Sequence, residues 1–90
     1  MKEVMEALKK SGAIDKFVKT YKEAVRDVNK RNNTKNWKPE EKAVKFAAAI
    51  VISNELARND EVKEIFDDFS IGYAMDAIVE EFYKIAMEEE

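Results

Sequence analysis

Ser11, Ser53 and Ser70 carry hydroxyls that could attack a carbonyl or phosphoryl centre. Such an attack needs a neighbouring base, and the chain contains no histidine to supply one. It contains no cysteine either, which removes thiolate nucleophiles, disulfides and thiolate metal sites together. Gly12 and Gly72 are isolated and build no phosphate-cradling loop. Asp60–Asp68 lacks the alternating ligands and central glycine of a calcium loop. Carboxylates are plentiful, but their spacing on amphipathic segments is that of solvated faces, not of a buried acid–base pair. A protein that is not an enzyme and holds no metal or cofactor is therefore expected.

Two charged constellations remain. On a helical wheel Lys16, Lys19, Lys22, Arg26 and Lys30 lie opposite an apolar stripe, and Lys35, Lys38, Lys42 and Lys45 continue the positive charge past Trp37. A basic stripe beside an exposed aromatic can hold phosphates and stack a base. The residues of such a nucleic-acid site would be Lys19, Lys22, Arg26, Lys30, Lys35, Trp37 and Lys38. The alternative is a solvated face on which Asp15, Glu23 and Asp27 serve as ion-pair partners. A sequence pI near 5.1 weighs toward that alternative.

The second constellation is acidic. Asp60, Glu61, Glu64, Asp67 and Asp68 cluster in one short segment, and Glu88–Glu90 end the chain. Tyr73, Tyr83 and Met87 fall off the main stripe of the last segment, where aromatics and Met are enriched at protein contacts. Glu64, Asp67, Asp68, Tyr73, Tyr83 and Met87 are thus the candidate residues for a partner with a basic surface. Across the whole chain the charge is split: residues 1–45 hold 13 Lys/Arg against 7 Asp/Glu, whereas residues 46–90 hold 3 against 12. An imbalance of that size governs encounter with partners rather than fold.

The elements that carry these groups are helical. Two glycines and one proline leave little material for hairpins, and 46% hydrophobic residues suffice for one modest core. A short helix is predicted over Lys2–Lys10, stopped by Gly12. Ile14, Phe17, Val18, Tyr21, Val25 and Val28 recur at three- and four-residue steps, predicting a helix over 14–31. Residues 31–38 read as a polar loop.

Pro39 suits a first helical position, with Trp37 packing to secure the entry. The segment 39–58 is apolar on most sides, which predicts a central helix surrounded by neighbours. Asn59 or Asp60 can cap a fourth helix carrying Val62, Ile65, Phe66 and Phe69, and Ser70 can cap a fifth with Ile71, Met75, Ile78, Phe82 and Ile85 inward.

The whole, 1–90, is expected to be a single all-α domain, a compact bundle of four to five helices. Its core should hold Phe17, Tyr21, Val25, Phe46, Ile50, Val51, Ile65, Phe66, Met75, Ile78 and Phe82. The chain shows no secretory apolar region, and Phe46–Ile52 is too short to span a bilayer, so no membrane association and a cytoplasmic location are expected. The apolar 39–58 helix and the two-sided last helix in so small a chain predict a homodimer. The functional expectation is a small binding protein, regulatory or inhibitory, acting through protein–protein contacts. Nucleic-acid binding through 14–31 and the Trp37 loop is the alternative.

Overall fold

The computed structural model describes residues 2–68 and 71–89, the side chains of 71–74 excepted. Five helices follow in order: α1 (Lys2–Lys10), α2 (Ala13–Asn32), α3 (Glu41–Arg58), α4 (Asp60–Asp67) and α5 (Ile71–Glu88). There is no strand among the described residues. No helix among them is long and apolar enough to cross a membrane. Phe69 and Ser70, expected as a stripe residue and a cap, lie outside the described residues, as do the side chains of Ile71 and Tyr73.

The helix ends follow from local chemistry. Gly12 takes φ +90, a left-handed conformation that only glycine adopts freely, and the chain turns there from α1 into α2. At the end of α2, Asn33 enters the same region at φ 54. The side chain of Asn59 accepts a hydrogen bond from the Val62 amide at 3.2 Å and so starts α4. The entry to α3 differs from expectation. Glu40 occupies the N-cap position without a side-chain capping bond, so Pro39 sits just before the helix rather than at its first position.

Trp37 is 39% exposed and stands outside the core cluster. Its backbone is held instead. The Asn29 side chain accepts from the Trp37 amide at 2.9 Å and donates to the Trp37 carbonyl at 3.1 Å.

Helices α2, α3 and α5 pack mutually along the molecule, while α1 and α4 pack on one another, with α1 also against α2 and α4 against α3 and α5. One cluster of buried residues joins all five: Val4, Leu8, Phe17, Ile52, Phe66 and Phe82 are among its largest members. The Phe17 and Phe82 rings meet at 5.2 Å and 47°, tying α2 to α5. The molecule measures 46 × 20 × 19 Å with a radius of gyration of 13.9 Å. A compact chain of this length would give about 12 Å, so the bundle is a short rod.

That thinness corrects part of the expected core. Helix α3 buries one stripe, Val44, Ala48, Ile52 and Glu55, and presents its opposite face to water. Phe46 is 63% and Ile50 46% exposed. With two other helices along its length, α3 has neighbours on one side only, and its all-round apolar character leaves a greasy outer face. Val25, Val51, Ile65 and Met75 are half-buried against the core rather than inside it.

Deleting buried ring atoms and deleting exposed ones should therefore differ sharply. Phe82→Ala should lower the unfolding free energy by about 3–5 kcal/mol. Phe46→Ala should lower it by less than about 1 kcal/mol, since the ring is already mostly in water. Denaturant titration of both variants measures the contrast, and equal losses would contradict this assignment of inside and outside.

Candidate functional site

The surface of the rod offers three regions. The first is the outer face of α3. Ala43, Phe46, Ala47, Ile50, Asn54 and Ala57 are all exposed and recur at three- and four-residue steps along the helix. The stripe carries no charge from Ala43 to Ala57. Beside it, between α2 and α3, runs an apolar groove of about 190 Å³. Tyr21, Ala24, Pro39, Ala43, Ala47 and Val51 contribute to its walls. Ala43 and Ala47 belong to both features, so the Phe46–Ile50 ridge and the groove form one continuous apolar surface.

The second region is basic. Lys16, Lys19, Lys22, Arg26 and Lys30 all point to solvent, as the wheel predicted. Lys19, Lys22 and Arg26 line a shallow groove of about 450 Å³ between α2 and the end of α5. Asp15, Glu23 and Glu89 line it too, so its charge is mixed, and Lys22 pairs with Glu89 at 3.5 Å. Lys35, Trp37 and Lys38 lie in the exposed loop, whose backbone Asn29 anchors. Asn29 stands ten residues beyond Lys19 on α2, about 15 Å along the axis at 1.5 Å per residue. The structure thus brings Lys19, Lys22 and Arg26 together along one groove and places the Trp37 loop beyond Arg26, at the end of the stripe away from Lys19.

Lys45 leaves the basic stripe altogether. Its Nζ lies 2.7 Å from Glu80 and 3.3 Å from Glu41, and sits 5.3 Å from the centre of the Tyr83 ring. The hydrogen bond to Glu80 raises the Lys45 pKa, and the same bond lowers that of Glu80.

The third region is acidic. Asp60, Glu61, Glu64, Asp67 and Asp68 are exposed on and just after α4, and Glu3 and Glu6 of α1 stand beside Glu61. Lys63 offsets part of this charge by pairing with Asp67 at 2.9 Å. The other partner candidates sit elsewhere. Tyr83 and Met87 are half-buried and packed against the core, with Lys45 of α3 over Tyr83. The Tyr73 side chain lies outside the described residues.

Glu55 is a residue whose role the sequence concealed. It is 4% exposed, on the buried face of α3. Arg58 Nη2 donates to it at 2.9 Å and Asn59 Nδ2 at 3.1 Å, while the Ser11 hydroxyl donates to the Leu8 carbonyl at 2.9 Å. Burial pushes its pKa up, but the hydrogen bonds from Arg58 and Asn59 and the Arg58 charge outweigh that and hold it below the ordinary 4.5. Each donor stands at a helix end, so this carboxylate organises a corner and faces no cleft. Among the described residues no group of acidic side chains is placed to hold a metal ion.

Comparison with protein-family models, with characterised proteins and with solved structures gave no match. The functional reading therefore rests on surface geometry.

The depressed pKa of Glu55 has a consequence for stability. Its ionised form contributes stability that is fully present above the ordinary value and is lost as the pH falls through the lower folded pKa. Glu55→Gln should cost about 1–3 kcal/mol near neutrality, the usual penalty for unpairing a buried hydrogen-bonded group. The gap between wild type and variant should narrow once the pH drops below the ordinary glutamate value. Urea titrations across the acidic range measure it, and a gap that does not change with pH would contradict the role given to Glu55.

Proposed function

We propose that this chain is a non-enzymatic binding protein that regulates or inhibits another macromolecule through protein–protein contacts. The observation that carries the reading is the continuous apolar surface of α3 and its groove. A Phe ring left 63% in water forgoes most of the roughly 1.5–3 kcal/mol that its burial would contribute. Uncharged ridges of this kind beside a groove are what protein partners cover. The acidic surface of α4 adds long-range attraction for a partner with a basic surface, raising the rate of encounter more than the final affinity.

The nucleic-acid reading has one observation in its favour, the unbroken exposure of Lys16, Lys19, Lys22, Arg26 and Lys30 along α2. The mixed charge of the groove beside them, and the distance between Lys19 and the Trp37 loop, weigh against it.

Affinity capture from the native host tests the reading directly. Phe46→Glu should abolish capture of the partner, and joint replacement of Glu64, Asp67 and Asp68 by amides should weaken it most at low salt. A partner retained by both variants would defeat the proposal. Trp37 is the only tryptophan, so its fluorescence reports on the alternative. No change is expected on adding single-stranded DNA or RNA at low salt. A quench that disappears with charge reversal at Lys19, Arg26 and Lys30 would favour nucleic acid instead.

A further inference from the structure

We infer that the apolar face of α3 docks against the same face of a second copy of this chain, with the two α3 helices antiparallel about a two-fold axis near their midpoint. This rests on reading that face as a protein-docking surface and names its occupant.

Area is the first argument. The chain exposes 6305 Å², whereas a compact monomer of 10.4 kDa should expose about 5,400 Å². The excess, about 900 Å², matches the roughly 800 Å² that each partner contributes to a stable interface. Shape is the second. A two-fold interface is built from the same patch twice, so the patch must fit its own copy. Phe46 and Ile50 supply the ridge. About an axis near residue 49, Phe46 of each copy stands level with residue 52 of the other, beside its Ile50 on the same flank, so the two ridges cover one another.

Charge is the third. At about 100° per residue, Glu40 and Arg58 lie on the same flank of α3, at its opposite ends. An axis crossing near residue 49 places Glu40 of each copy level with Arg58 of the other. The Arg58 side chain is 58% exposed, and only one of its nitrogens is used by Glu55. It therefore has donors left for a second carboxylate. Lys42 lies on the other flank, so the antiparallel arrangement brings no cation onto Arg58.

Sedimentation and directed cross-linking test this in the intact chain. Wild type should be a dimer at tens of micromolar. Phe46→Glu should raise the dissociation constant by roughly a hundredfold, as loss of a central aromatic anchor does. An unchanged helical spectrum would show that this exposed position left the fold intact. The chain has no cysteine, so introduced thiols report without background. A mixture of Ala43→Cys and Asn54→Cys should oxidise to the mixed disulfide, while Ala43→Cys alone should not link to itself.

A wild-type monomer across that range overturns the inference, as does a dimer indifferent to Phe46→Glu. Self-linking of Ala43→Cys would overturn the antiparallel arrangement. A monomer whose capture of a foreign protein still depends on Phe46 would end the second-copy inference alone. A monomer that captures nothing through Phe46 would end the docking reading as well.

Discussion

A single buried carboxylate fixes the corner between α3 and α4. Glu55 lies on the inner face of α3 and receives hydrogen bonds from Arg58 and Asn59 at the α3–α4 corner. A carboxylate removed from water is tolerated only when its oxygens are this well supplied. Its donors are thereby held at one end of the molecule, where α1 and α4 pack on each other. Asn59 serves twice, its amide nitrogen on Glu55 and its carbonyl oxygen capping α4, so that the ion and the start of the helix are set together.

The shape follows. With both short helices spent at one end, α2, α3 and α5 must enclose the rest of the core as three rods, and three rods cannot surround any one of their number. Burial is then a matter of phase. Val44, Ala48 and Ile52 face inward because they share a stripe with Glu55, and the equally apolar Phe46 and Ile50 face outward because they do not. The apolar surface proposed for docking is thus the geometric complement of the core stripe, produced by the same helix.

The sequence disclosed those parts of the fold that have a periodic or stereochemical signature. The stripe of α2, the stop at Gly12 and the cap at Asn59 were legible because each rests on a local rule. The phase of α3 was not. A helix apolar on most sides has no periodicity from which to read its inner face, and its one buried charge masquerades as a surface residue. Glu55 breaks the buried stripe where a polar residue would ordinarily mark solvent. Asn29 escaped notice for another reason. Its amide holds the backbone of Trp37, eight residues on, a contact that has no repeating signal. The charge split was visible along the chain, but not that Lys45 would turn away from the basic stripe to Glu80.

The connections between helices carry a further consequence, concerning changes in chain length. Asn59 alone separates α3 from α4. One residue added there would rotate α4 by about 100°, turning Val62 and Phe66 out of the core and pulling Asn59 from Glu55. Residues 33–40 are different, being almost wholly exposed, and doubling a loop costs only about 0.6 kcal/mol in closure entropy. Within that loop the Asn29 contacts to Thr34 and Trp37 mark the stretch whose length matters. Variation in length, a grafted epitope or a new pair of termini belongs between Trp37 and the start of α3, or nowhere in this bundle.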